Sequence, residues 1–137
     1  PAAGTEVPAA TGFRRVLLAE DNPVNQRVAK FLLEKLGCGV DIAASGIEVL
    51  EKMSKQSYDC VLMDCQMPEM DGFAATAEIR KREGGSKHTP IVAMTAHAMQ
   101  GDRQRCIESG MDEYVTKPVS IEGLKQALEK AEAARVS

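Results

Sequence analysis

The chain has 137 residues, a length that favours one domain over two. Hydrophobic residues make up 44% and charged residues 27%, the proportions of an ordinary globular protein. The net charge of −3 is too small to predict nucleic-acid binding, and no apolar run approaches the roughly 18 residues of a membrane span. The four cysteines lack zinc-ligand spacing and no signal peptide pattern is evident, so we expect a reducing, cytoplasmic location.

The two ends of the chain differ in composition from its centre. Residues 1–13 are rich in Ala, Pro, Gly and Thr without an apolar period, which predicts a linker or a disordered segment. Residues 14–134 are predicted to form the folded domain, and residues 135–137 are predicted to fray. A linker at the N-terminus leads us to expect that the domain was part of a longer chain.

The first predicted elements are a strand, a helix and a second strand. An apolar run predicts the first strand over residues 15–19. Asn22 is a favourable N-cap, Pro23 suits the first helical position, and Gly37 supplies a stop, so the first helix is predicted to run to residue 36. Val40 and Ile42 then alternate with less apolar neighbours, which is typical of a half-buried edge strand.

The remaining elements continue this alternation. Ser45 and Glu48 form a capping box that predicts a helix to about residue 56. The apolar run of residues 60–63, which ends in Asp64, predicts a strand over residues 60–64, and a helix is predicted over residues 73–82. A strand over residues 91–94, a helix over residues 98–109, a strand over residues 113–116 and a helix capped by Ser120 complete the order.

Five strands alternating with five helices predict βαβ units and a parallel sheet. Right-handed crossover connections then place helices on both faces. Apolar runs around Val16, Val61 and Ile91 are typical of central strands, whereas the alternation at Val40 and Ile42 is typical of an edge. We therefore predict an α/β fold with a doubly wound, five-stranded parallel sheet in the order 2-1-3-4-5, a flavodoxin-like topology.

Polar residues follow four of these strands: Glu20 and Asp21 the first, Asp64 the third, Thr95 the fourth and Lys117 the fifth. Ligands bind at the carboxyl ends of the strands in an open parallel sheet, where neighbouring strands are about 4.8 Å apart. Carboxylates this close repel one another, and Mg²⁺, which prefers oxygen ligands, would relieve the repulsion. The set predicts a magnesium-assisted phosphoryl transfer to an aspartate.

Each of these residues also has a purely structural interpretation. An aspartate after a strand is commonly a turn former or a helix cap, and the Glu20-Asp21 pair can favour a helix N-terminus through its dipole. Thr95 can be a cap, and Lys117 can be a solvated surface charge. The functional interpretation is favoured because four separate strands each end in a residue type that the chemistry requires.

Four motifs resemble those of the receiver domain of two-component response regulators. The resemblance spans about Arg14 to Ala131, nearly all of the predicted folded part. The segment from Glu20 to Gln26 is most similar to receivers attached to hybrid sensor histidine kinases. The motifs are Leu18-Ala19-Glu20-Asp21-Asn22, Met63-Asp64-Cys65-Gln66-Met67-Pro68-Glu69-Met70-Asp71-Gly72, Met94-Thr95-Ala96 and Val115-Thr116-Lys117-Pro118.

The resemblance implies a role for each matching position. Asp64 matches the phosphorylated aspartate, while Glu20 and Asp21 match the acidic pair that holds Mg²⁺, for which Mn²⁺ can substitute. Asp64 itself and the backbone carbonyl of Gln66 match the other metal ligands. Gln66 and His97 also match two positions that tune the lifetime of the phosphoryl group.

A conformational switch is implied by the same resemblance. Thr95 matches the hydroxyl that follows the phosphoryl group, and Tyr114 matches the aromatic residue that changes rotamer with it. Lys117 matches the lysine that contacts the phosphoryl group. The bond from Lys117 to Pro118 matches a cis peptide that would direct the lysine into the site.

The implied function is that of a phosphoacceptor domain. A phosphohistidine on a histidine kinase core or a histidine phosphotransfer protein donates its phosphoryl group to Asp64 in a Mg²⁺-dependent reaction. The domain then switches conformation or relays the group to a second histidine, and it assists its own phosphotransfer and autodephosphorylation. We expect it to belong to a hybrid histidine kinase, to be a monomer or a weak dimer, and to contact neither nucleic acid nor membrane itself.

Three other functions share this topology or chemistry. A haloacid dehalogenase-type phosphatase also uses a strand-end aspartate and Mg²⁺, but it requires a second aspartate two residues later, where this chain has Gln66. A non-phosphorylated interaction module would not require Asp64, Thr95 and Lys117. A flavin-binding domain would require a Ser/Thr/Gly-rich phosphate loop after the first strand, and this chain lacks that loop. The phosphatase and the interaction module remain alternatives.

Overall fold

Five parallel strands form one sheet with helices on both faces, in a computed structural model that describes residues 12–96 and 100–136. The sheet order β2-β1-β3-β4-β5 confirms the predicted topology. Within the described residues, none of the helices is both long and apolar enough to cross a bilayer. The strands are β1 (Arg15–Ala19), β2 (Gly39–Ala43), β3 (Cys60–Asp64), β4 (Ile91–Thr95) and β5 (Glu113–Thr116). The helices are α1 (Pro23–Lys35), α2 (Gly46–Lys55), α3 (Gly72–Glu83), α4 (Gln100–Glu108) and α5 (Ile121–Val136).

The ends of α1 follow from local sequence. Asn22 Oδ1 accepts hydrogen bonds from the N–H groups of Val24 at 2.8 Å and Asn25 at 3.1 Å. Pro23 takes the first helical position, where a missing N–H costs nothing. Gly37 follows the helix with a φ of 90°, a left-handed conformation that favours glycine. The predicted start and stop of this helix are therefore confirmed.

Two hydrophobic cores fill the space between the sheet and its helices. Successive side chains of a strand point to opposite faces, so β1 contributes to both cores. Val16 and Leu18 pack on the side of α1 and α5, whereas Leu17 and Ala19 pack on the side of α2 and α3. All four residues are fully buried, as expected for a central strand. Residues 40–42 of β2 are only half-buried, which confirms an edge strand.

The strand register brings the predicted site residues to one end of the sheet, where the strands have their carboxyl ends. Ala19 of β1 pairs with Met63 of β3. Glu20 and Asp64, each one residue further along, therefore lie at the same level on neighbouring strands. The pairings of β3 with β4 and of β4 with β5 bring the ends of those strands to the same edge.

The predicted termini lie partly outside the described residues. Residues 1–11 of the predicted linker fall outside them, as does His97. Phe13 is buried in the core beside α1 and α5, and the N–H of Gly12 donates to Glu132 Oε1 at 2.9 Å. The chain therefore joins the domain just before β1. At the other end, α5 continues to Val136, within the segment assigned to the tail.

An ion-pair network lies at the opposite end of the sheet, near the amino ends of β4 and β5. Arg80 donates to Glu83 Oε1 and to Asp112 Oδ2, both at 2.9 Å, and the N–H of Thr89 donates to Glu83 Oε2 at 2.9 Å. Burial alone would raise the pKa of Glu83. The hydrogen bonds from Thr89 and Arg80 outweigh that effect and hold the pKa below its usual range.

Candidate functional site

Asp64 lies at the end of β3, and both of its carboxylate oxygens are held in place. It is only 4% exposed. Oδ2 accepts a hydrogen bond from Lys117 Nζ at 2.9 Å, and Oδ1 accepts one from the N–H of Gln66 at 3.0 Å. A Cβ at Gly72 would overlap the carbonyl oxygen of Asp64, so only glycine lets the start of α3 approach this closely.

Lys117 lies between two carboxylates. Its Nζ is 2.9 Å from Asp64 Oδ2 and 3.2 Å from Glu20 Oε1. Burial lowers the pKa of Lys117, but the hydrogen bond and charge of Asp64, followed by those of Glu20, outweigh burial, so the pKa is raised. The ammonium is therefore charged at neutral pH. The peptide bond from Lys117 to Pro118 is cis.

Glu20 is a buried carboxylate, and one of its oxygens lacks a hydrogen bond from the described residues. It is 1% exposed, and its Oε2 accepts the N–H of Asn22 at 3.0 Å. Oε1 lies in ion-pair range of Lys117 but accepts no well-oriented hydrogen bond from any described residue. Burial raises the pKa of Glu20 and the Asp64 charge adds to this effect, which the Asn22 N–H and Lys117 only partly oppose. A cation at Oε1 would satisfy this oxygen.

Three carboxylates form an acidic cluster at the carboxyl ends of β1 and β3. Glu20, Asp21 and Asp64 each offer an oxygen, and these oxygens lie within 4.8 Å of one another. Glu20 and Asp64 are buried, whereas Asp21 is exposed. A single lysine cannot balance three negative charges at this distance. The donor set is entirely oxygen, which fits a hard divalent cation such as Mg²⁺.

A cleft of about 330 Å³ opens beside Asp64. Thr95, at the end of β4, and Lys117 line this cleft together with Arg105 and Phe73. The Arg105 guanidinium carbon lies 4.1 Å from the centre of the Phe73 ring, a cation–π distance. Sequence reasoning missed Arg105, because an arginine on a polar helix resembles an ordinary solvated charge until the fold places it at the cleft.

The residues of the predicted switch lie on neighbouring strands. Tyr114 of β5 pairs with Ala93 of β4, two residues before Thr95. Because side chains alternate along a strand, Tyr114 and Thr95 lie on the same face of the sheet. Thr95 is buried and Tyr114 is half-buried. The structure thus gathers Glu20, Asp21, Asp64, Thr95 and Lys117 at one edge.

Comparison with known proteins identifies the family of this chain. Residues 16–129 match the response regulator receiver domain family. Over 115 residues the chain is 48% identical to hybrid signal transduction histidine kinase I of Dictyostelium discoideum, covering 78% of the chain and 6% of that protein. The chain therefore spans a small part of this relative's length.

Solved structures of receiver domains superpose closely on the chain. The receiver domain of a sensor histidine kinase from Pseudomonas aeruginosa, with a magnesium ion coordinated in its active site cleft, is 43% identical with a TM-score of 0.78, covering 88% of this chain and 98% of that one. The Saccharomyces cerevisiae Ssk1 receiver, in complex with the histidine phosphotransfer protein Ypd1, is 27% identical with a TM-score of 0.81, covering 93% and 94%.

These matches do not favour a haloacid dehalogenase-type phosphatase or a non-phosphorylated module. The family match covers most of the chain, and it includes every residue of the acidic cluster as well as Thr95 and Lys117. The chain belongs to the response regulator receiver domain family, and it is similar to the receiver regions of hybrid histidine kinases.

Proposed function

We propose that this receiver domain accepts a phosphoryl group on Asp64 from a phosphohistidine of a partner protein, in a Mg²⁺-dependent reaction. One observation supports this role above all others. The Asp64 carboxylate has Lys117 Nζ at 2.9 Å from Oδ2 and has the Glu20 and Asp21 carboxylates within 4.8 Å. A single aspartate thus lies between a fixed cation and the acids that would bind a metal.

In the proposed reaction, an oxygen of the Asp64 carboxylate attacks the phosphorus atom. The new P–O bond forms as the P–N bond to the donor imidazole breaks, and the electron pair of that bond returns to the imidazole nitrogen. The Lys117 ammonium would balance charge on the transferred oxygens, and the Thr95 hydroxyl would donate a hydrogen bond to one of them. Position and electrostatics are most of what such a transfer requires.

The metal would be held by Glu20, Asp21, Asp64 and the backbone carbonyl of Gln66. Bound Mg²⁺ would neutralise charge on the Asp64 carboxylate and on the incoming phosphoryl oxygens. Mn²⁺ would also serve, because the same oxygen ligands suit it. The magnesium ion in the cleft of the Pseudomonas aeruginosa relative supports this proposal.

The proposed donor is a histidine kinase core or a histidine phosphotransfer protein, and we assign the exposed side of α1 to the latter. Val24, Val28 and Phe31 are 62%, 47% and 57% exposed on this helix. Val28 also lines a groove that includes Glu20 and Lys117, so the apolar surface adjoins the acidic edge. Exposed apolar side chains beside a reactive site favour a protein partner that presents an apolar surface. The complex of the Ssk1 receiver with Ypd1 supports a histidine phosphotransfer protein as that partner.

The proposed outcome is a conformational switch or an onward transfer to a second histidine. Phosphorylation adds about −1.5 to −2 charge and new acceptor oxygens. Thr95 would move toward these oxygens and Tyr114 would turn inward, which changes the surface formed by α4, β5 and α5. A monomer or weak dimer in the cytoplasm fits this role.

Mass spectrometry after incubation with acetyl phosphate tests the proposal. The unmodified protein should gain one phosphoryl group with Mg²⁺ and none with EDTA, and Asp64→Asn should gain none. Asp71→Asn is the matched control: Asp71 Oδ1 caps α3 by accepting the Ala74 N–H at 2.8 Å, and asparagine caps equally well. Labelling of Asp64→Asn, or labelling of the unmodified protein without a metal, would contradict the proposal.

A further inference from the structure

The motif that follows the acidic pair contains three amide residues, Asn22, Asn25 and Gln26, that the proposed reaction does not use. Two of these residues bond to Glu20, Asn22 through its backbone and Gln26 through its side-chain amide. The backbone N–H of Asn22 donates to Glu20 Oε2 at 3.0 Å. The side chain of Gln26 donates through Nε2 to the backbone carbonyl of Glu20 at 2.6 Å. Gln26 is itself anchored in α1, since its N–H donates to the carbonyl of Asn22 at 2.9 Å.

The Gln26 bond fixes the peptide that joins the two acids. On one side of Glu20, the strand holds the backbone, because the Glu20 N–H donates to the carbonyl of Ala43 at 2.9 Å. On the other side, the Gln26 amide holds the Glu20 carbonyl. The peptide unit is planar, so fixing that carbonyl also fixes the direction in which the chain enters Asp21.

Asp21 depends on this backbone more than the other acids do. Glu20 and Asp64 are buried and each contacts Lys117. Asp21 is exposed, and within the described residues its carboxylate takes part in no hydrogen bond or ion pair that would orient it. The direction of its side chain is therefore set by the turn from β1 into α1, and Gln26 closes that turn.

A magnesium ion is sensitive to such positioning. It requires near-ideal octahedral geometry with short metal–oxygen distances, so a carboxylate without a fixed orientation is a poor ligand. Groups that orient metal ligands without touching the metal commonly change metal affinity by about 10- to 100-fold when they are removed.

We propose that Gln26 is a positioning residue for the metal site: its side-chain amide, bonded to the Glu20 carbonyl, holds the Glu20–Asp21 turn in the conformation that binds Mg²⁺. This inference rests on the proposed function of the acidic cluster. It gives Gln26, the last residue of the Glu20–Gln26 motif, a role in the metal site. It also ties the metal site to α1, the helix whose exposed side we assign to the phosphotransfer partner.

The experiment is a calorimetric titration of Gln26→Met with Mg²⁺. Methionine has a similar length but cannot donate to the carbonyl, so the Mg²⁺ dissociation constant should rise by about 10-fold. Gln104→Met is the matched control, because Gln104 is an exposed helical glutamine whose side chain donates to Glu108, four residues away. Its dissociation constant should equal that of the unmodified protein. A change of less than twofold for Gln26→Met would overturn the proposal.

Two further measurements separate positioning from general destabilisation. At saturating Mg²⁺, acetyl phosphate should label Asp64 of Gln26→Met at nearly the rate found for the unmodified protein, because only the affinity for Mg²⁺ is affected. In EDTA, its melting temperature should stay close to that of the unmodified protein. If methionine prevents folding, Gln26→Ala is titrated instead, with the same expected loss and the same twofold limit.

The unmodified protein distinguishes the two possible failures. If it binds no Mg²⁺ and takes no label, the proposed function itself is wrong. If it binds and takes label but Gln26→Met binds Mg²⁺ equally well, only the role of Gln26 is wrong. If Gln26→Met is labelled slowly even at saturating Mg²⁺, the positioning role would also be overturned, because Gln26 would then act in the transfer step.

Discussion

Replacement of Lys117 by methionine should destabilise the domain and at the same time tighten its binding of Mg²⁺. Lys117 Nζ lies 2.9 Å from Asp64 Oδ2 and 3.2 Å from Glu20 Oε1. Methionine keeps the length of the side chain but removes its charge. Two buried carboxylates then lose their cation and repel each other without compensation.

The expected loss of stability follows from the burial of the three side chains. Removing one partner of a buried ion pair costs about 3–5 kcal/mol. The Lys117 side chain is 24% exposed, against 1% for Glu20 and 5% for Asp64, and water in the cleft reduces the cost. We therefore expect a loss of about 2–3 kcal/mol in metal-free buffer. For a domain of this size the melting temperature should fall by about 6–12 °C.

The effect on metal binding has the opposite sign. A fixed positive charge next to the acidic cluster repels an incoming cation, and its removal relieves roughly 1.4 kcal/mol of repulsion. This corresponds to an affinity about tenfold higher. Excess Mg²⁺ should therefore restore part of the stability that Lys117→Met loses in EDTA, although phosphoryl acceptance should remain impaired.

Urea denaturation followed by circular dichroism, with EDTA or with excess Mg²⁺, measures both effects. Lys55→Met is the matched control, because Lys55 is an exposed residue in the last turn of α2 and should change stability by less than about 0.5 kcal/mol. Equal urea midpoints for Lys117→Met and the unmodified protein in EDTA, or weaker Mg²⁺ binding by the variant, would refute the electrostatic reasoning.

Two further predictions concern pH and partner binding. The pKa of Glu83 is held below its usual value of 4.5, so its ionised form stabilises the fold above that pH and the contribution is lost as the pH falls through the lowered pKa. The difference in unfolding free energy between Glu83→Gln and the unmodified protein should thus shrink below about pH 4.5; a difference that persists at lower pH would contradict this. Phe31→Ala should weaken phosphotransfer from a phosphorylated histidine phosphotransfer protein by about tenfold without affecting labelling by acetyl phosphate, whereas Ile107→Ala, an exposed apolar residue of α4, should change neither. Equal transfer rates for the two variants would contradict the assignment of α1.

The fold could be predicted because local patterns and general rules agree. The apolar runs of β1, β3 and β4 mark central strands, and the alternation at Val40 and Ile42 marks an edge. With right-handed crossovers, these assignments leave one reasonable strand order. The clustering of Glu20, Asp64 and Lys117 then follows, because the carboxyl ends of parallel strands meet at one edge.

Other features depend on contacts that the sequence does not encode locally. Glu20 and Asp21 are adjacent acids, but only the fold buries Glu20 and leaves Asp21 exposed. The bond between Gln26 and the Glu20 carbonyl requires the exact angle between β1 and α1. Arg80 joins Asp112, which is 32 residues away, and no periodicity predicts such a pair. Side-chain contacts of this kind follow from packing.

The central claim is that Asp64 receives the phosphoryl group with the help of the acidic cluster. Borohydride reduction of the acetyl phosphate-treated protein converts an aspartyl phosphate into homoserine, which tandem mass spectrometry locates to one residue. We expect homoserine at position 64 alone, and only when Mg²⁺ or Mn²⁺ is present during labelling. Homoserine at another aspartate, a reduced glutamate, or homoserine at position 64 after labelling in EDTA would contradict this claim.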